Sequence, residues 1–140
     1  MYSPHHVAIS VSDRNKAIMF YAQLDFKEVQ TWNSEDGSLT ITHLKNESAN
    51  FILELFCYTN FAQAPNTIFE TSTDLPILGT KHLGLRVNSI EQAKQDLINK
   101  KIAPPGIEIT QGRTGPRYFF IKDPDGILVE ILEDNRKFMA

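Results

Sequence analysis

Apolar and polar residues alternate along short stretches of the chain, and the alternation starts almost at once. Val7, Ile9 and Val11 take one phase while His6, Ala8 and Ser10 take the other, which predicts a half-buried strand over His5–Val11. Ser12 and Asp13 then offer N-cap oxygens, and Lys16–Leu24 has the spacing of a helix. Further strands are predicted near Phe26–Trp32, Ser38–Leu44 and Asn50–Phe56. The same order then recurs. His82–Val87 alternates like a strand, Ser89 with Gln92 makes a capping box, and Ile90–Lys100 is helix-like. Strands follow near Ile107–Thr110, Arg117–Lys122 and Ile127–Leu132.

The recurrence is an internal repeat. Shifted by 76 positions, His6-Val-Ala-Ile-Ser-Val11 lies over His82-Leu-Gly-Leu-Arg-Val87, and Phe51-Ile-Leu-Glu-Leu55 lies over Ile127-Leu-Val-Glu-Ile131. Each half thus has a His followed 48 residues later by a Glu. The turn Asp123-Pro-Asp-Gly126 has Glu47-Ser-Ala-Asn50 as its counterpart. The expected fold class is α+β, two βαβββ modules within one domain spanning 1–140: module 1 over about 4–58, a linker over about 59–80 and module 2 over about 81–134. The linker, with Pro65, Pro76, Gly79, Phe61 and Phe69, is expected to cover a sheet edge rather than act as a substrate lid.

Phase identifies the candidate chemistry. Side chains alternate across a strand, so residues in one phase share a face. His6 and His82 are out of phase with the apolar residues of their strands, and Glu54 and Glu130 are out of phase with theirs. All four therefore avoid the face that packs on the helices, and the small neighbours Ala8 and Gly84 leave room beside them. A lone His in a strand is usually structural, and a lone Glu usually lies on a solvated face. Two halves placing both types at one spacing and phase point instead to a shared role. A carboxylate among apolar strand residues needs a partner, and a divalent cation supplies one. Two imidazoles and two carboxylates suit one zinc, nickel, cobalt, manganese or iron(II) ion, with two positions left for water or substrate.

Composition narrows the function classes. Net charge is −3 with scattered Lys and Arg, so no basic face for nucleic acid is predicted. No apolar run approaches the roughly 20 residues that would span a bilayer, and no secretory leader is visible at the N-terminus. One cysteine, Cys57, cannot form an internal disulfide, which fits a reducing compartment. A cytoplasmic protein acting on a small molecule is expected, with no nucleic-acid or membrane partner.

The segments His5-His-Val-Ala-Ile-Ser-Val-Ser-Asp13, Ile52-Leu-Glu-Leu-Phe56, Lys81-His-Leu-Gly-Leu-Arg-Val87 and Ile121-Lys-Asp-Pro-Asp-Gly-Ile-Leu-Val-Glu-Ile131 resemble the vicinal oxygen chelate superfamily. That superfamily includes glyoxalase I, methylmalonyl-CoA epimerase, extradiol dioxygenases and the fosfomycin and bleomycin resistance proteins; the chain is most like the glyoxalase I-like proteins. The resemblance implies two modules curling into an open, cupped, barrel-like mixed sheet with a central metal cleft, a homodimer, and His6, Glu54, His82 and Glu130 as metal ligands. It implies a lyase or isomerase that chelates two neighbouring oxygens of a small carbonyl substrate and moves a proton through an enediolate. The catalytic shuttle implied is Glu130, or Glu54 if the substrate binds in the mirrored sense. An iron(II) extradiol-type dioxygenase and a resistance or binding protein of the same fold are the alternatives.

The resemblance to lactoylglutathione lyase weakens at the glutathione contacts. Phe20-Tyr-Ala-Gln-Leu-Asp-Phe26 has Gln23 near a position that is basic in glyoxalase I, and Asp25 where glyoxalase I has Gly. Phe56 and Tyr58 stand where glutathione-contacting Thr and Asn are common, predicting a more aromatic pocket. Arg86, in phase with His82, and Arg117, at the start of a strand, are candidates to clamp an anionic substrate group. His5, in the packing phase, and His43, on another strand, are assigned no role.

Overall fold

The computed structural model describes residues 1–139 and divides into two compact units, residues 1–64 and 65–140. Unit 1 runs β1 (His6–Ser10), α1 (Arg14–Ala22), β2 (Phe26–Asn33), β3 (Leu39–Asn46) and β4 (Ile52–Tyr58). Unit 2 opens with a 3-10 turn (Asn66–Phe69) and the one-turn helix α2 (Thr71–Asp74). It continues with β5 (Leu83–Arg86), α3 (Ile90–Asn99), β6 (Thr110–Gln111), β7 (Arg117–Lys122) and β8 (Leu128–Glu133), and a last 3-10 turn, Lys137–Met139. Each unit contains an open four-stranded mixed sheet, ordered β1-β4-β3-β2 in unit 1 and β5-β8-β7-β6 in unit 2. In both, the first strand lies parallel to the last, and the remaining pairs are antiparallel.

The predicted caps form. Asp13 accepts the Lys16 N–H at 3.0 Å and Ser89 accepts the Gln92 N–H at 3.3 Å, each satisfying an orphan donor of the first helical turn. The exits match as well. Asp25 and Lys101, 76 positions apart, are the two non-glycine residues with positive φ among those described, at 65° and 59°. Asp tolerates this left-handed conformation better than most residues, so position 25 takes it without glycine.

Each sheet has one face against its helix. In unit 1 that face carries Val11, Leu44, Leu53 and Leu55, packed with Ala17 and Tyr21 of α1 and with Phe26 in a core that is 3% exposed or less. In unit 2 Phe119, Ile121, Val129 and Ile131 pack with Ile90 and Leu97 of α3. Each such aliphatic side chain contributes roughly 1.5–3 kcal/mol on burial. Polar ties reinforce both contacts. Arg14 of α1 donates to Glu28 (2.5 Å), Thr31 (3.1 Å) and the buried Thr42 (2.9 Å), while Glu133 of β8 accepts the Ile90 N–H of α3 at 3.0 Å.

Two expectations need correction. The strand predicted near Ile107–Thr110 shrinks to Thr110–Gln111. Pro104, Pro105 and Gly106 turn the chain, with the Ile107 N–H on the Pro104 carbonyl at 3.0 Å, and the following loop closes at Gly112, whose N–H reaches the Pro116 carbonyl at 2.8 Å. The expected linker does not stand apart throughout its length: from residue 65 onward it belongs to unit 2. Phe69 lies against the Asp123–Gly126 turn so closely that a Cβ on Gly126 would come within 2.9 Å of its ring, and Gly126 has φ +84°, so only glycine fits there. Lys81 holds Asp74, 4% exposed, by its carbonyl at 2.8 Å and its carboxylate at 3.3 Å. No helix among the described residues is long and apolar enough to cross a membrane.

Candidate functional site

The four residues singled out by phase all lie on the sheet faces turned away from the helices. In unit 1 the parallel register sets Ala8 beside Glu54, with His6 two residues earlier on the same face of β1. His6 Nε2 stands 3.9 Å from Glu54 Oε1, too far for a hydrogen bond, so the two groups face each other across a gap. In unit 2 the equivalent register sets Gly84 beside Glu130. His82, just before β5, brings Nε2 to 3.2 Å from Glu130 Oε2. A Cβ on Gly84 would stand 3.6 Å from Glu130 Oε2, so glycine keeps the carboxylate's flank open.

The surroundings of the two pairs differ. Glu54 has His43 as its direct antiparallel partner, and the His43 Nε2–H donates to Glu54 Oε2 at 2.6 Å. A carboxylate only accepts, which puts the proton on that nitrogen. His6 Nδ1 lies 2.9 Å from His5 Nδ1, with the rings edge to face. Glu130 instead has Phe120 as its antiparallel partner. The Phe120 ring sits edge-on to His82 at 5.0 Å and to Tyr118 at 5.5 Å. His82 Nδ1 is buried with no hydrogen-bond partner among the described residues.

His43 escaped the sequence reading, although the signal was there. Counting back equally from the turn Glu47–Asn50 pairs Asn46 with Phe51 and His43 with Glu54, as observed. In unit 2 the hairpin closes one residue tighter, with the Asp123 N–H on the Ile127 carbonyl and Asp123 Oδ1 accepting the N–H groups of Asp125 and Ile127. That slip makes Phe120, not Phe119, the structural counterpart of His43. His5, placed in the packing phase, is in fact exposed.

Of the four substrate-binding candidates, Phe56 and Tyr58 share the face of Glu54, Phe56 half-buried and Tyr58 exposed. Arg86 shares the face of Glu130, but its Nη1 donates to the Met139 carbonyl at 2.5 Å, which anchors the C-terminal turn. Arg117 is a correction. It is in phase with the buried Phe119 and Ile121, on the helix side, and is ion-paired with Glu91 of α3 and with Glu133 at 2.8 Å. Hydrogen bonds from Arg117 first, and from the Ile90 N–H next, hold the Glu133 carboxyl below its usual range. Arg117 is therefore a strut between helix and sheet, with its charge already matched. Beside it a polar depression of about 260 Å³ is lined by Gln111, Asn135 and Arg136, and Arg136 is likewise engaged, in a two-point pair with the buried Asp134 at 2.8 and 2.7 Å. Those bonds hold the Asp134 carboxyl at about 2.

Among the described residues, no three His, Cys, Asp or Glu side chains are grouped to hold a metal ion. Each unit offers one of the repeated His–Glu pairs, and unit 1 has a second imidazole, His43, on the far oxygen of Glu54. Imidazole and carboxylate are donor types that suit a divalent cation, and each unit sets such a pair on its helix-free face, across an unbridged gap in unit 1 and with the flank open at Gly84 in unit 2.

Comparison with known proteins agrees with this fold. The family model of the Glyoxalase/Bleomycin resistance protein/Dioxygenase superfamily matches residues 3–131. Uncharacterized protein YwkD of Bacillus subtilis (strain 168) is 35% identical over 133 residues, covering 94% of this chain and 96% of that one. The glyoxalase family protein from Enterococcus faecalis superposes with a TM-score of 0.74 at 26% identity, covering 94% of this chain and 97% of the other. The trypanothione-dependent glyoxalase I of Leishmania major shares the fold, with a TM-score of 0.66 at 20% identity and coverage of 95% and 87%. The chain belongs to the glyoxalase/bleomycin resistance/dioxygenase superfamily, and its two open mixed sheets are those of that fold.

Proposed function

We propose that the chain is a divalent-metal-dependent lyase or isomerase of the glyoxalase type, with His6, Glu54, His82 and Glu130 as the ligands of one ion. The observation that carries this reading is the repeated His–Glu pair, one in each unit, set on the helix-free face at the same parallel register. When bound, a divalent cation supplies stabilisation of negative charge developing on substrate oxygens, and so acidifies the neighbouring C–H.

The chain's own residues do the rest. Glu130 takes the proton from one carbon and returns it to the next, with Gly84 leaving its Oε2 room to move. Phe120 and Tyr118 wall that side and keep water from the exchanging proton. Phe56 and Tyr58 on the face of Glu54 favour a compact, partly apolar substrate over a peptide-bearing one. The substrate class proposed is a small carbonyl compound with vicinal oxygens.

The test is elemental analysis of protein purified without added metal, beside Glu54→Ala and His82→Ala, followed by assay with nickel, cobalt, zinc or manganese. The substrates are the methylglyoxal–glutathione hemithioacetal and a panel of 2-substituted acyl thioesters. About one metal per chain, lost in both variants, with proton exchange on at least one substrate, is the expected result. Protein that takes up no metal, or that turns over none of these compounds, overturns the reading. Oxygen uptake with catechols and iron(II) would replace it with a dioxygenase.

A further inference from the structure

We propose that His43 is a positioning residue that orients the Glu54 carboxylate, making the His6–Glu54 pair the preorganised half of the site. The inference rests on the assignment of Glu54 as a ligand. Three observations carry it. The register places His43 directly opposite Glu54, so the contact is built into the β3–β4 ladder rather than left to a loop. The bond is short, 2.6 Å, with the two side chains only 28% and 20% exposed. It also engages one carboxylate oxygen, Oε2, and leaves free Oε1, the oxygen that faces His6 Nε2. Glu54 is thereby set to ligate through a single oxygen, in the direction of His6.

The second unit shows what the absence of such support looks like. The residue opposite Glu130 is Phe120, whose side chain offers no N–H, and His82 Nδ1 has no partner among the described residues. Groups that hold metals are normally oriented by hydrogen bonds from behind, and losing one such bond typically weakens metal affinity about 10–100-fold. His43 occupies that place for Glu54. Phe120 does not occupy it for Glu130.

The experiment measures cobalt(II) affinity and the visible spectrum of the cobalt protein for wild type, His43→Phe and His43→Gln, with thermal unfolding as a control for folding. His43→Phe gives unit 1 the side chain that unit 2 already has. It is expected to weaken cobalt binding about 10–100-fold and to change the d–d bands. His43→Gln places an N–H donor at similar reach on the same strand and is expected to recover most of that loss. Nitrogen-15 NMR of the metal-free wild type should show the His43 proton on Nε2. A His43→Phe protein that binds cobalt like wild type overturns the proposal, as does a Gln variant as weak as the Phe variant, or a His43 protonated on Nδ1. Wild type that binds no cobalt defeats the ligand assignment itself and takes the positioning role with it. Wild type that binds while His43→Phe matches it defeats the positioning role alone.

Discussion

The two units share a topology, a helix-facing core and a parallel-register His–Glu pair, yet they differ in what stands behind the pair. Unit 1 backs Glu54 with His43 and His6 with His5. Unit 2 backs Glu130 with an aromatic ring and leaves one nitrogen of His82 unpartnered among the described residues. Positions that build the fold have stayed alike, while positions that tune the site have diverged. A carboxylate held from behind suits a fixed ligand, whereas one with open space and no second donor suits a group that must move a proton.

If the cores are equivalent, equivalent truncations should cost alike. Leu55 and Ile131, 76 positions apart, are 0% and 2% exposed. Leu55→Ala and Ile131→Ala should each lose roughly 2–5 kcal/mol by urea denaturation, through lost burial and the cavity left behind. A cost in one unit several-fold below the other would show that the repeat does not extend to packing.

A smaller effect is expected at the divergent position. Phe120→His installs in unit 2 the residue that unit 1 places opposite its Glu. Loss of the edge-to-face contacts with His82 and Tyr118 should cost about 1 kcal/mol of stability. Cobalt affinity should move the other way and tighten, because Glu130 gains a donor. Weakened cobalt binding together with the lost stability would place the asymmetry elsewhere than in that cross-strand row.

Much of this was legible in the sequence because strand phase is legible. The period of two assigned His6, Glu54, His82 and Glu130 to the helix-free face without any knowledge of pairing, and the caps at Asp13 and Ser89 followed from short local spacings. What failed depended on pairing partners. His43 takes its meaning from the residue across the ladder, and a one-residue difference in hairpin closure shifts its counterpart from 119 to 120. Arg117 was misread because an arginine at a strand start looks the same whether it points to substrate or to Glu91 on a helix 26 residues earlier. The strand near 107–110 was lost to the Pro-Pro-Gly turn before it, where backbone geometry outweighed apolar pattern.

The smallest expected effect is at Gly84, where the units differ by a single methyl group. Its register partner is Glu130, and the matching position beside Glu54 is Ala8. A Cβ there would meet Glu130 Oε2 at 3.6 Å and Leu132 Cδ2 at 3.7 Å, both ordinary van der Waals contacts. Gly84 is not among the glycines with positive φ, so alanine can adopt the same backbone. Gly84→Ala should therefore fold and gain about 0.4–1 kcal/mol, chiefly by restricting the unfolded chain. The gain would be read as a raised unfolding midpoint. The same methyl closes the flank of a carboxylate proposed to swing during proton transfer, so kcat should fall while metal affinity holds. If the variant gains stability with kcat untouched, Glu130 does not need that space, and the division into a fixed carboxylate and a mobile one loses its structural basis.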